Sequence, residues 1–340
     1  TPGNTRVNNV FLSQPVLEAR DAYGNRATSF TGAVALAIKS GTGTAGAALS
    51  GTTTINAANG LASFSGLSIN RIGTGYQLTA TASGLPAVDS TSFDITANAL
   101  VFTLQPVSTV AGQNLLVKVA AQDAAGTVDT SFNGPVTIGL KNNQGRNGVA
   151  LFGITTITAV NGLADFTSAG LNIHTAGSSY VLVARGGGLA DAESNPFEIF
   201  AGAASKLVIT NSPADTPADA IFTLELEARD AFGNLDATFT GTVDLALQTN
   251  PSGGILGGNT NKAAVNGVVS FDGTDALTID RVGAGYVLRA SSGTLTPGDT
   301  QPFNITANRL VFAVEPSDTP VGSAISPYPV VRAVDRFGLI

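Results

Sequence analysis

A short motif that returns at domain-length intervals constrains this chain more than any other feature. Asp21-Ala22-Tyr23-Gly24-Asn25 reappears as Asp123-Ala124-Ala125-Gly126-Thr127, as Asp230-Ala231-Phe232-Gly233-Asn234 and as Asp335-Arg336-Phe337-Gly338, at intervals of 102, 107 and 105 residues. Such a period is that of a whole domain, since solenoid repeats run to only about 20–50 residues. Other anchors keep the same phase. Phe30, Phe132 and Phe239 each stand two residues before a Gly; Asn59-Gly60, Asn161-Gly162 and Asn266-Gly267 each open an apolar run; Tyr76, Tyr180 and Tyr286 each begin Tyr-x-Leu-x-Ala. The 340 residues therefore divide into repeat 1 (1–97), repeat 2 (98–204), repeat 3 (205–307) and a partial repeat 4 (308–340).

Within a repeat the apolar period is two. Leu17 and Ala19 alternate with Glu18 and Arg20, and Val119/Ala121, Leu226/Ala228 and Val331/Ala333 do the same, the pattern of a half-buried strand. Gly, Asn, Asp and Thr clusters separate such runs at the short spacing of an all-β sandwich, and no segment carries a 3.6-residue stripe. Repeat 2 predicts seven strands, at 100–104, 115–122, 135–140, 155–158, 162–173, 180–184 and 196–200. The expected fold class is all-β: tandem immunoglobulin-like β-sandwiches of about seven antiparallel strands each. Tyr76, Tyr180 and Tyr286 stand where a tyrosine corner would tie a buried ring to the backbone upstream. The absence of Cys and Trp excludes antibody-type domains, so the cores must close on Phe, Leu, Val and Tyr.

Composition narrows the chemistry. With no Cys, no Met and a single His, thiolate nucleophiles, Cys-type zinc sites and disulfide frameworks are excluded. Seventeen basic against 24 acidic residues give a net charge of −7, which leaves no basic footprint for nucleic acid. No run approaches the 18 consecutive apolar residues of a membrane helix, so no membrane insertion is expected from this segment. The 43% hydrophobic content is ample for packed cores.

The combination of Leu-Val-Phe (Leu100-Val101-Phe102, Leu310-Val311-Phe312), Ala-x-Asp-x-x-Gly-Asn, Phe-Thr-Gly, Asn-Gly-x-Ala-x-Phe and Gly-x-Gly-Tyr-x-Leu-x-Ala resembles the tandem bacterial immunoglobulin-like (Big-type) repeats of large surface and secreted proteins. It is more loosely similar to the extracellular repeats of the invasin and intimin adhesins. The resemblance spans essentially the whole chain and implies an extracellular, secreted or cell-surface location. It does not single out a function, because such repeats serve as stalk, spacer, adhesin shaft and enzyme appendage alike. Repeat 2 departs from the pattern at Thr127 and at Ser178-Ser179 before its Tyr.

The Asp-x-x-Gly-Asn element has the chemistry of a tight turn, in which Asp accepts backbone amides and Gly and Asn tolerate positive φ. Its alternative is a calcium loop built on Asp21, Asp123, Asp230 and Asp335, but each motif brings a single carboxylate where calcium recruits several, and Asp129 and Asp236 lie nearby in only two repeats. The turn is the preferred reading, and no cofactor is expected. His174 falls in a turn without a second imidazole or thiol and is expected to be a solvent-exposed loop residue. The pairs Asp191/Glu193 and Glu225/Glu227 read as outer strand faces rather than as general acid and base, and Gly186-Gly187-Gly188 and the 253–258 glycines as hairpin connections.

A string of sandwiches with short linkers and no recurring reactive group predicts a structural, non-catalytic segment of a bacterial extracellular surface protein or filament, on the order of 100 Å or more in length. The alternative is an adhesin, or the glycan-binding accessory array of a secreted enzyme, recognising cell-surface glycan or protein. Against it stand the lack of Trp and the placement of three of five Tyr at corners, leaving Tyr23 and Tyr328 free. The two ends do not match: Thr1 aligns with Thr103, so repeat 1 lacks the opening strand, whereas repeat 4 has it in Leu310, Val311 and Phe312. Two readings stand. The sequence is a window cut from a longer array, the preferred one, or the Leu310-Val311-Phe312 strand completes repeat 1 of a neighbouring molecule in head-to-tail self-association.

Overall fold

A computed structural model describes residues 1–141 and 149–340. Among them every regular element is a strand, and the chain forms two compact units, Thr1–Ile199 and Phe200–Ile340, each with its own continuous apolar core.

Repeat 2 displays the architecture. One sheet runs Ala99–Leu104, Lys118–Gln122, Leu163–Asp165; facing it are Thr156–Thr158, Pro135–Leu140, Leu182–Gly186 and Ala192–Glu193 in one sheet and Thr109–Val110, Phe197–Phe200 and Gly177–Tyr180 in another. Strand alternation drives the layering: Val119 and Ala121 face inward from the first sheet and Val136, Ile138, Leu182 and Ala184 from the second, and all are buried. Repeat 3 repeats this with Lys206–Asn211, Leu224–Arg229 and Val268–Phe271 against a six-stranded sheet centred on Gly283–Ser291. The chain is thus built of tandem immunoglobulin-like sandwiches.

Three sequence expectations are corrected in detail. The pairing is not purely antiparallel: Thr5–Arg6 lies parallel to Phe93–Thr96 in repeat 1, and Thr216–Pro217 parallel to Phe303–Thr306 in repeat 3, because the early chain crosses to the second sheet and runs beside the last strand. The predicted strand 162–173 breaks after Asp165, whose Oδ1 accepts the Thr167 amide (3.0 Å) and hydroxyl (2.6 Å) and turns the chain before it resumes at Asn172–Ile173. The single strand expected at 180–184 starts earlier, at Gly177–Tyr180, and is interrupted at Val181.

The Asn-Gly pairs close two-residue hairpins. Asn161 and Gly162 take φ of 50° and 83°, Asn59 and Gly60 49° and 75°, Asn266 and Gly267 50° and 78°, the double positive-φ geometry of a type I′ turn, which matches strand twist. A Cβ at Gly162 would stand 2.4 Å from the Asp129 carbonyl oxygen, so backbone packing as well as φ demands glycine there.

Candidate functional site at the repeat junctions

The residues that recur across the repeats converge on the ends of the sandwiches. In each Asp-x-x-Gly-Asn turn one carboxylate oxygen organises the loop. Asp123 Oδ1 accepts the amides of Ala125 (3.0 Å) and Thr127 (2.9 Å); Asp335 Oδ1 those of Phe337 (2.8 Å) and Leu339 (2.9 Å); Asp230 Oδ1 those of Phe232 (2.9 Å) and Asn234 (2.8 Å); Asp21 Oδ1 those of Tyr23 and Asn25 (both 2.9 Å). This is an Asx turn extended by one further amide.

The second oxygen reaches back along the chain. Asp123 Oδ2 accepts the buried amide of Ile72 in repeat 1 at 3.2 Å, and Asp335 Oδ2 accepts that of Val282 in repeat 3 at 3.0 Å. Ile72 and Val282 occupy equivalent places, one residue before the Gly-x-Gly-Tyr motif. In repeat 3, Asp230 Oδ2 takes Gly202 N (2.9 Å) and the Asn234 side-chain amide (2.8 Å). Burial of Asp335 disfavours its charged form, yet the amides of Val282, Leu339 and Phe337 outweigh this and hold its pKa below the usual carboxylate value. Asp230 is lowered likewise: burial opposes, and Asn234 and the Gly202 amide prevail. These four aspartates were the sequence's calcium candidates; the structure gives both oxygens of each to N–H donors.

A second brace was not read from the sequence. Asp129 Oδ2 accepts Ala97 N (2.9 Å) and Asp236 Oδ2 accepts Ala204 N (2.8 Å), clamping the linkers, while their Oδ1 atoms cap Ser131 and Thr238. The signal was present: an Asp six residues after the motif's first Asp and two before Ser or Thr, in the two full repeats that follow a linker, with Ala27 in repeat 1.

At the repeat 3 to repeat 4 junction, Phe337 lies between Arg281 (4.6 Å) and Arg336 (4.8 Å), and Arg336 pairs with Asp280 (2.8 Å) and Asp219 (3.4 Å). Asn308 adds a side-chain bond to the Ala218 carbonyl (3.0 Å). In the first unit, Arg6 donates to the carbonyls of Gly187 (3.1 Å) and Gly188, so the glycine run tightens repeat 1 against repeat 2.

The tyrosines sit beside these junctions. Tyr76, Tyr180 and Tyr286 are fully buried, and their hydroxyls donate to the carbonyls of Arg71 (3.0 Å), Thr175 (2.9 Å) and Arg281 (3.0 Å), five residues upstream in each case. The rings lie 6.1, 6.0 and 6.4 Å from Phe93, Phe197 and Phe303. Where repeats 1 and 3 place Gly75 and Gly285 at φ of 70° and 79° before the Tyr, repeat 2 forces Ser179 to 61°.

The remaining sequence candidates fall elsewhere. His174 is half-buried rather than exposed, stacked on Phe152 at 4.1 Å because the Leu151–Phe152 strand pairs with Asn172–Ile173. Glu193 pairs with Lys141, Asp191 with Arg185 and Glu227 with Arg229. Leu310, Val311 and Phe312 pair antiparallel with Val330–Val334 of the same chain, and all three are exposed. Tyr23 and Tyr328 are exposed. Among the described residues no helix is long and apolar enough to cross a membrane.

No protein-family profile and no curated protein matches the chain. Among solved structures it is similar to invasin, described as a bacterial integrin-binding protein, at 14% identity and TM-score 0.29, covering 92% of this chain and 61% of that one. It is similar to domains 4–9 of the surface layer protein SbsC at 15% identity and TM-score 0.24, covering 92% and 48%. A Bacteroides vulgatus β-glycosidase gives 13% identity and TM-score 0.26, covering 62% of this chain. The chain spans about a quarter of that glycosidase's length.

Proposed function

We propose that this chain is a structural, non-catalytic stretch of a bacterial extracellular surface protein or filament, working as a stalk, spacer or fibre element. The observation that carries it is the recurring Asp carboxylate that builds its own turn with one oxygen and holds the preceding repeat with the other, at Ile72 and again at Val282. A segment that transmits position or load needs neighbouring domains coupled by short, buried bonds rather than by free linkers, and such a bond is made by the motif Asp at Asp123 and again at Asp335. Of the acidic side chains that could have formed a catalytic pair, Asp191, Glu193 and Glu227 are engaged with a cation, and Glu225 accepts from the Thr210 hydroxyl at 3.4 Å.

Single-molecule stretching of the whole chain tests this. Each full repeat should unfold as a separate event, releasing a contour length of about 350 Å for about 100 residues at 3.3–3.6 Å per residue. Smooth extension without discrete events would refute a load-bearing role. Saturable binding to a glycan array through Tyr23 or Tyr328 would replace the reading with the adhesin alternative.

A further inference from the structure

The packing of one Phe ring calls for glycine at the same position of each full repeat, and in repeat 2 the residue before that glycine is an asparagine. In Phe30-Thr31-Gly32, Phe132-Asn133-Gly134 and Phe239-Thr240-Gly241 the ring folds back on its own glycine. A Cβ at Gly32, Gly134 or Gly241 would stand 2.8, 3.0 or 2.5 Å from a ring carbon. Repeats 1 and 3 place Thr31 and Thr240 before the glycine, whereas repeat 2 places the amide of Asn133 there. An Asn-Gly bond is open to attack by its own backbone: the glycine nitrogen adds to the Asn side-chain carbonyl carbon, and the missing Cβ leaves that approach unhindered.

Four Asn-Gly pairs fall among the described residues, and a fifth, Asn147-Gly148, lies outside them. In the type I′ hairpins at Asn59, Asn161 and Asn266 the attacking nitrogen is engaged. Gly60 N donates to Phe30 O (3.1 Å), Gly162 N to Phe132 O (2.9 Å) and Gly267 N to Phe239 O (3.1 Å). Asn133-Gly134 differs at each reacting atom. Among the described residues the Gly134 amide has no acceptor, and Asn133 is exposed to water. Asn133 Oδ1, on which negative charge develops during attack, accepts the Asn161 amide at 3.1 Å. Its Nδ2, the leaving group, donates to the Ser131 carbonyl at 3.1 Å, and the two bonds together fix which end of the amide is oxygen.

We infer that Asn133 is a site of spontaneous deamidation, a reaction that the Asn59, Asn161 and Asn266 hairpins resist while folded. Gly134 N bonds to Asn133 Cγ and gives up its proton as Nδ2 departs in ammonia, closing a five-membered succinimide. Water then opens the ring. Attack at Cγ breaks the new bond and leaves an aspartate; attack at the backbone carbonyl carbon breaks the original peptide bond and leaves an isoaspartate. One water enters and one ammonia leaves in either case. In the isoaspartate the chain runs through Cγ and is one methylene longer, between two carbonyls that frame the residue: Phe132 O, which accepts Gly162 N, and Gly134 O, which accepts Ala159 N at 2.9 Å. Asp129 lies four residues upstream, its carbonyl accepting Phe132 N (3.0 Å) and its carboxylate holding Ala97 N in the linker, so the lengthened segment bears on the junction of repeats 1 and 2. The chemistry is independent of the structural role proposed above.

Peptide mapping of the whole chain, aged in mildly alkaline buffer both folded and in denaturant, tests this. The tryptic peptides 119–141 and 263–281 each contain a single asparagine, Asn133 and Asn266, and Asn147 falls on neither. Conversion shows as the mass change from NH₂ to OH, located by fragmentation, with the aspartate and isoaspartate forms separated by chromatography. Each peptide's rate in the folded chain is read against its own rate in denaturant. Asn266 should slow about tenfold or more on folding, since about 1.4 kcal/mol of local opening is enough for that factor, whereas Asn133 should stay within about threefold of its unfolded rate. Asn133→Thr, which copies Thr31 and Thr240, should abolish the change in 119–141. Slowing of Asn133 by the factor seen for Asn266, or a change in 119–141 that persists in Asn133→Thr, overturns the assignment. An aged chain whose Ala159 and Gly162 amides exchange as slowly as in fresh protein would overturn the effect on the junction.

Discussion

Replacing Asp123 by Asn separates the two tasks of the motif. The Asn side-chain oxygen still accepts the Ala125 and Thr127 amides, so the turn is kept, but an NH₂ now faces the Ile72 amide that Oδ2 had accepted at 3.2 Å. Ile72 is buried, so its N–H is left without an acceptor and water cannot replace the carboxylate. A stranded buried donor costs about 1–3 kcal/mol, and Asp123→Ala should add about 1 kcal/mol for the turn amides it also releases. Urea unfolding should show a midpoint shift in proportion for the unit Thr1–Ile199, with the slope unchanged. Hydrogen exchange at the Ile72 amide reports the junction directly, and a loss of about 1.4 kcal/mol in opening free energy speeds it about tenfold. Wild-type stability together with undiminished protection at Ile72 would refute the argument that Oδ2 couples the repeats.

Three further outcomes are expected. Ser179→Gly should stabilise the second repeat by up to about 1 kcal/mol in equilibrium unfolding, because a serine at φ 61° carries a left-handed strain that Gly75 and Gly285 avoid; a destabilised variant would show the Ser179 side chain to be needed. Acid should weaken the fold in a defined window. Asp165 is lowered to about 2 by Lys118 and the Thr167 bonds, and Asp230 and Asp335 are lowered by their amide donors. A carboxylate with a depressed folded-state pKa contributes stability that is complete above about pH 4 and is lost as the pH falls through the folded value, so melting temperatures should hold above about pH 4 and drop towards pH 2. Melts in calcium and in chelator should agree within a few degrees, since the motif carboxylates already accept N–H donors; a calcium-dependent rise equivalent to several kcal/mol would overturn the turn reading.

What the chain's residues determine on their own is local and periodic. The alternation at Leu17/Ala19 and its three counterparts makes strands, because a half-buried sheet needs an apolar face every second residue. Asn-Gly makes type I′ hairpins because both φ angles must be positive. The Asp of Asp-x-x-Gly-Asn makes its turn within five residues, so the turn is legible without knowing the fold. Tertiary structure decides where the spare valences point. That Asp123 Oδ2 meets Ile72, 51 residues earlier, depends on how two sandwiches abut, and no local pattern encodes it. The linker clamps of Asp129 and Asp236 escaped the sequence reading for the same reason: their partners at Ala97 and Ala204 are 32 residues away, and only the folded chain brings a carboxylate to that amide. The strand 162–173 likewise looked continuous in its apolar run, and it breaks because the Asp165 carboxylate competes with the ladder for the Thr167 amide.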